Sequence, residues 1–233
     1  KLANDSKPFN LSFFENEIVS INGLIGSGKT ALASQIFGLN PDPKVTMTLN
    51  GNSYSPQSPE HAISAGVFMC PKDRASNAVV SEFDISNNLA LPFFKRHSRL
   101  SFIRNKSLTQ NARNSINELG IVCQSEMDSV TTLSGGNQQK VMVGRWLAED
   151  SSVLLLDEPF QGVDIKARRD IGHQIRSTSR QRATIIFVAE LDEALEIADR
   201  VIVLHEGNLV GDYQNKSKNI PKIVSSFSGS ANN

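Results

Sequence analysis

Cysteine is scarce in this chain: only Cys70 and Cys123 occur among 233 residues. Their separation fits neither a metal knuckle nor a redox pair, so both are expected as buried free thiols in a reducing compartment. The four histidines, His61, His97, His173 and His205, are scattered and offer no ligand cluster. Neither sign of charge is in excess, with 24 Lys and Arg against 24 Asp and Glu. No net field would therefore draw in nucleic acid or an anionic membrane surface. Long apolar runs are missing too, since Val153–Leu156 and Ile185–Ala189 are far too short to span a bilayer. Residues 1–10 are polar, with no signal peptide and no initiating Met. The missing Met suggests a trimmed chain or a piece of a longer polypeptide. No internal repeat or low-complexity linker is found. What remains, 39% hydrophobic and 21% charged, describes an ordinary soluble domain long enough to bury a substantial core.

Periodicity places the elements. Ile18–Ile21 is a short apolar run that ends in the glycines of 23–28, after which Leu32, Ile36 and Leu39 recur at helical spacing. Gly38 lies where such a helix would stop. Residues 40–66 carry Pro41, Pro43, Gly51, Pro56 and Pro59 among β-prone pieces such as Val45–Leu49, which predicts small strands and turns. From about Ile85 to Leu119 the chain is polar and helical in character, as an inserted lobe would be. Val153–Leu156 and Thr184–Val188 are unbroken apolar runs, expected in a parallel sheet covered on both faces. One helix is expected after Asp164, a plausible N-cap, and another from Asp192 through Ala198. Val201–Leu204, the turn at Glu206-Gly207-Asn208 and Leu209–Val210 read as a closing hairpin. Pro221 could begin a last helix, with Ile223, Val224 and Phe227 packing back.

Three motifs carry chemistry. Gly23-Leu24-Ile25-Gly26-Ser27-Gly28-Lys29-Thr30 matches the phosphate-loop pattern G-x-x-x-x-G-K-[ST]. Its glycines let backbone N–H groups turn in around a β-phosphate, and the next helix offers its positive end. Lys29 would bridge β- and γ-phosphates, and the Thr30 hydroxyl would ligate Mg²⁺. Val153-Leu154-Leu155-Leu156-Asp157-Glu158-Pro159 brings a buried strand to its rim, where Asp157 would hold Mg²⁺ and its waters. Glu158, one step on, could orient or deprotonate an attacking water. Third, Leu133-Ser134-Gly135-Gly136-Asn137-Gln138-Gln139-Lys140-Val141 opens a helix expected over Asn137–Glu149, with Val141, Trp146 and Leu147 on its buried side. A second anion-binding helix start in one domain makes sense if it serves a neighbour's nucleotide.

In this order the three motifs resemble the nucleotide-binding domain of ATP-binding-cassette (ABC) proteins, over nearly the whole chain. The Asn-Gln-Gln-Lys extension, the run 157–164, the segment Pro71-Lys72-Asp73-Arg74 and the ending Ser226–Gly229 are similar to the C-terminal cassette of tandem ATPase subunits in bacterial sugar importers. The resemblance implies an α/β P-loop NTPase fold: a mainly parallel sheet core (1–74 and 146–233), a small antiparallel β subdomain and an inserted helical subdomain (about 75–145). It also implies ATP held between two head-to-tail cassettes. Gly23–Thr30 and Asp157 would lie on one side, and Ser134, Gly135, Gly136 and Asn137 of the partner on the other, with Asp164 in the loop that communicates across the pair. The second cassette would be the N-terminal half of the same polypeptide. The helical lobe would receive a membrane permease from the cytoplasmic face.

Three positions depart from the pattern. Lys72 stands where cassettes usually carry Gln or Glu; a cation offers donors only and cannot ligate Mg²⁺, leaving phosphate contact or solvent. Ala189 stands where most active cassettes carry a His that senses the γ-phosphate. Lys29 is present where many second cassettes have Arg. Binding therefore looks intact and hydrolysis slowed. A degenerate cassette that binds ATP without turning it over is the alternative. A DNA- or ribosome-directed cassette is disfavoured by the zero net charge and the lack of sustained heptads. For the adenine-stacking aromatic, Phe9, Phe13 and Phe14 are nearby but are expected to pack in the core, and the stacking residue could precede Lys1.

Overall fold

Ile18–Asn22 has no exposed residue and forms β1, as its apolar run predicts. The computed structural model describes residues 8–72, 79–99, 102–103 and 105–228. Asp73, Arg74 and Gly229, which carry part of the resemblance above, lie outside the described residues. β1 runs parallel to β8 (Ala183–Val188) on one side and to β9 (Arg200–His205) on the other. β8 pairs in parallel with β7 (Val153–Asp157). With β4 (Val67–Cys70) and β10 (Asn208–Gln214) at the edges, the sheet order is β10-β9-β1-β8-β7-β4. β10 is antiparallel to β9, through a turn in which Glu206 and Gly207 both have positive φ (47° and 76°). That two-residue geometry matches the twist of the strands it joins.

The chain gathers into two compact units. One takes the residues up to Met69, Ser151–Glu158 and those from Ser179 onward; the other takes Cys70–Asp150 and Pro159–Thr178. The first holds the sheet, α1 (Lys29–Ile36), the small antiparallel pair β2 (Met47–Leu49) and β3 (Asn52–Tyr54), α2 (Pro59–Ser64), α7 (Leu191–Ile197) and α8 (Ile220–Phe227). Val19, Ile21, Ala33, Phe37, Leu155 and Phe187 are among the residues of its core. α1 ends at Ile36, two residues before Gly38, whose φ of 76° breaks the helix as expected. Arg200 anchors the approach to β1: its guanidinium holds both oxygens of Glu17 at 2.9 and 3.1 Å, Asp212 at 3.1 Å and the Ser12 carbonyl at 2.5 Å.

Three packing expectations need correction. Phe9 and Phe13 do pack against the core, but Phe14 is 62% exposed. It opens a tight turn, closed by the Glu17 N–H on its carbonyl at 3.2 Å, that aims it away from the sheet. On α8, Ile223 is buried whereas Val224, one residue and about 100° round the helix, is 46% exposed. Cys70 is a buried thiol, but Cys123, in the stretch that follows residue 119, is only partly buried.

β3 is pinned by its last residue. The Tyr54 hydroxyl donates to the Ile36 carbonyl at 2.9 Å, at the end of α1, and burial pushes its pKa up to about 12. An unfolded tyrosine ionises near pH 10. Between pH 10 and 12 the folded state therefore keeps a proton that the unfolded state has lost, and raising the pH favours unfolding. We expect the wild type to lose up to about 2 kcal/mol of stability to this group across that window. Tyr54→Phe should lack that component in urea melts at stepped pH, and identical slopes for the two proteins would refute the assignment.

The second unit contains α3 (Ile85–Ala90), the minimal strand pair β5 (Ser98–Arg99) and β6 (Phe102–Ile103), α4 (Asn105–Leu119), α5 (Gly135–Leu147) and α6 (Ile165–Ser177). Ile85, Leu89, Ala112, Leu119 and Val141 pack its core, with Leu147 partly buried at its margin. The Trp146 and Phe93 rings form a T-shaped pair with centroids 5.9 Å apart. Arg145, buried on α5, donates to the Asn88 carbonyl at 2.6 Å and to Asn88 Oδ1 at 3.2 Å, and burial draws its pKa down to about 10. Asn88 in turn bonds both backbone groups of Val80 and so fixes the entry to α3.

Candidate nucleotide-binding site

Parallel register decides which side chains meet. Asp157 pairs with Phe187, and Asn22 with Val188, so β1, β7 and β8 all end at one rim of the sheet. The carboxyl ends of parallel strands are where such sheets bind ligands. From β1 the chain enters the glycine-rich loop at Gly23. A Cβ there would fall 2.4 Å from Ser27 Oγ and 2.5 Å from the Leu204 carbonyl oxygen, so only glycine fits. The loop rises through Leu24 and the 97%-exposed Ile25, then turns back as the Ser27 N–H donates to the Leu24 carbonyl at 3.0 Å. The Gly207 N–H holds the Ser27 carbonyl at 3.0 Å. Gly26 and Gly28 take φ of 87° and 96° on the way into α1. That helix has no side-chain cap and no acid in its first turn, leaving its positive end to an anion.

Lys29 is buried, and its Nζ lies 2.6 Å from Glu158 Oε1, which is buried as well. The second oxygen, Oε2, accepts the backbone N–H of Ala189 at 3.2 Å. Glu158 itself has φ of 49°, and its N–H donates to the Phe187 carbonyl at 2.8 Å. A left-handed non-glycine residue costs roughly 1–2 kcal/mol, a strain that clusters at functional positions. Asp157 ends β7 with 2% of its surface exposed, and Thr30 is exposed at the start of α1. Ser27 Oγ is buried without a hydrogen-bond partner. A cation, an orphaned hydroxyl and an uncapped helix start in one loop fit a phosphate group. Among the described residues no group of three His, Cys, Asp or Glu could hold a metal unaided. Mg²⁺ on Thr30 and Asp157 would thus draw further oxygens from phosphate and water.

Other predicted residues lie in the second unit. Ser134 is exposed at the N-cap of α5, followed by Gly135 and Gly136. Asn137 donates to Ser134 Oγ at 3.0 Å and accepts the Val122 N–H at 3.0 Å. Asp164 caps α6, accepting the Ala167 N–H at 2.8 Å, as its position suggested. Lys72 is exposed. Sequence reasoning noted Ala189 for the side chain it lacks and missed its backbone N–H on Glu158, which no residue type announces.

A mainly parallel sheet with this loop between β1 and α1 defines a P-loop nucleotide-binding domain. The family profile for the ABC transporter matches residues 6–161. The chain belongs to the ABC transporter family, with the mainly parallel sheet core and helical subdomain of its ATPase fold. It is similar to the Ribose import ATP-binding protein RbsA 2 of Rubrobacter xylanophilus, 34% identical over 214 residues, covering 91% of this chain and 41% of that protein. It is also similar to the Xylose import ATP-binding protein XylG of Thermoanaerobacter pseudethanolicus, 36% identical over 210 residues, covering 89% and 42%. The chain thus spans about two fifths of the length of these relatives. Among solved structures, the ATP-binding cassette MJ0796 in a dimeric post-hydrolysis state bound to ADP and Pi shares the fold with a TM-score of 0.75 at 20% identity, covering 91% of each chain. A nucleotide-free cassette from an ABC transporter does so with a TM-score of 0.77 at 18% identity, covering 92% of this chain and 87% of that one. No described helix is long and apolar enough to cross a membrane.

Proposed function

We propose that this chain binds Mg-ATP on Gly23–Thr30 and Asp157 and hydrolyses it slowly with Glu158 as the base. The site is completed by Ser134–Asn137 of a second cassette set head to tail. The observation that carries this reading is the 2.6 Å meeting of Lys29 with Glu158 beside Asp157, three groups from two strand ends at one rim. Lys29 can exchange Glu158 for phosphate oxygens at little cost, because one anion replaces another at a buried ammonium. Glu158, so released, takes the proton of an attacking water, while Lys29 and the loop N–H groups hold the charge that develops on phosphate. Asp164, at the head of α6, belongs to the loop that would report this state to the partner.

The relatives are ribose, arabinose and xylose import ATP-binding proteins, which supports sugar import as the process powered. In that reading the second cassette belongs to the same polypeptide, and the helical lobe (about 75–145, between core segments 1–74 and 146–233) receives a permease at the cytoplasmic face of the membrane. Ala189 favours a second reading, a cassette that binds ATP and closes without turnover. It offers Glu158 a backbone N–H but has no side chain to reach a γ-phosphate. Loss of one such contact costs about 10²–10³ in rate.

Phosphate release from Mg-ATP across a wide range of protein concentration decides between the two. A rate that climbs faster than linearly is expected for a site completed by dimerisation. No release, with ATP still bound, would leave the second reading standing.

A further inference from the structure

Of the Asn137-Gln138-Gln139-Lys140 run only Asn137 enters the reading above, yet each member ties a different stretch of backbone to the start of α5. Gln138 Nε2 donates to the Val130 and Leu133 carbonyls, Gln139 Nε2 to the Pro159 carbonyl at 2.9 Å, and Lys140 Nζ to the Gly120 carbonyl at 3.0 Å. Two members also meet a side chain: Lys140 Nζ reaches Asp170 Oδ2 at 2.7 Å, and Asn137 donates to Ser134 Oγ, the N-cap of the same helix. The orientation of the Asn137 amide is fixed chemically. The Val122 N–H can only donate, so the atom facing it must be the amide oxygen, and the NH₂ must face Ser134.

Ser134 occupies the N-cap position but makes no side-chain cap to the backbone. A serine at that position usually turns its oxygen onto the N–H of the third helical residue. Here that residue is Asn137, and its side chain supplies the hydrogen instead. With a lone pair of Oγ filled by an N–H, the hydroxyl proton cannot point at Asn137 and is left to donate elsewhere. From an exposed position its complement is an anion.

We propose that Asn137 is a positioning residue: it sets the Ser134 hydroxyl as a donor toward a phosphate oxygen and does not itself touch the phosphate. This rests on the reading that Ser134 caps a nucleotide, and it refines that reading by moving Asn137 out of the contact set.

Two measurements test it. In the isolated chain, Ser134→Ala should shift the Asn137 side-chain amide resonances and speed their hydrogen exchange severalfold; an unmoved amide overturns the proposal whatever the nucleotide does. In phosphate release, Ser134→Ala should lower kcat by about 10²-fold and Asn137→Ala by about tenfold, with the double variant no slower than Ser134→Ala. A further tenfold loss in the double variant would show that Asn137 acts independently of Ser134, and would refute the idea. Asn137→Asp separates positioning from folding, since it keeps the acceptor for Val122 but reverses the polarity toward Ser134. It should keep the wild-type melting temperature and lose as much turnover as Asn137→Ala; wild-type turnover would again overturn the proposal. A wild-type chain that releases no phosphate defeats the proposed hydrolysis, and the amide measurement alone then decides the inference.

Discussion

Glu158→Gln is expected to lower phosphate release by about 10²–10³-fold and, in the same protein, to tighten ADP binding about fivefold. The first effect follows if Glu158 is the base, as proposed. The second follows from the resting geometry, in which Lys29 Nζ sits 2.6 Å from a carboxylate that would compete with a bound phosphate for it. A glutamine keeps the shape and can still accept from Lys29, but without charge. Charge-assisted hydrogen bonds exceed neutral ones by about 1 kcal/mol, which is about fivefold in an equilibrium constant. ADP is the informative ligand, since in the proposed binding mode its β-phosphate would engage Lys29 while neither hydrolysis nor a γ-phosphate enters the comparison. Calorimetry gives the affinity directly. ADP affinity equal to or weaker than wild type would mean that Lys29 and Glu158 do not compete, and that their contact persists with nucleotide bound.

That contact marks the limit of what the chain's order of residues reveals. The loop Gly23–Thr30 and the strand end at Asp157 are legible because their chemistry depends on residue type at fixed local spacing. β1, β7 and β8 are legible because strands buried on both faces become unbroken apolar runs. Lys29 and Glu158, however, stand 129 positions apart. Their meeting depends on the parallel register of three strands, which no local pattern encodes. Backbone donors are still less visible: Ala189 reads as a missing imidazole until its N–H is found on Glu158 Oε2. Apolar character alone also misled at Phe14 and Val224, where a tight turn and helical phase, not hydrophobicity, set the direction of the side chain.

Gly23→Ala tests the loop itself and should produce the largest combined loss of stability and binding. Its Cβ would lie 2.4 Å from Ser27 Oγ, 2.6 Å from Ser27 Cβ and 2.5 Å from the Leu204 carbonyl oxygen. The hydroxyl could rotate away, but Leu204 belongs to β9, locked by its pairing with β1 on one side and β10 on the other. The loop must therefore give way, carrying the Ser27 backbone and the head of α1 with it. Overpacking of this kind costs about 1–3 kcal/mol, or roughly 3–10 °C in melting temperature for a domain of this size. ADP affinity should fall at least about tenfold, because donors preset around a phosphate lose most of their advantage once displaced by an ångström. Gly26→Ala is the matched control. No atom lies within 4 Å of a Cβ at that position, so only the φ of 87° is strained. Its cost should be about 1 kcal/mol with little effect on ADP. If the two substitutions weaken ADP equally, the loop is sensitive to backbone conformation as such. If Gly23→Ala alone weakens it, the loop's seat against the Leu204 carbonyl holds the phosphate donors in place.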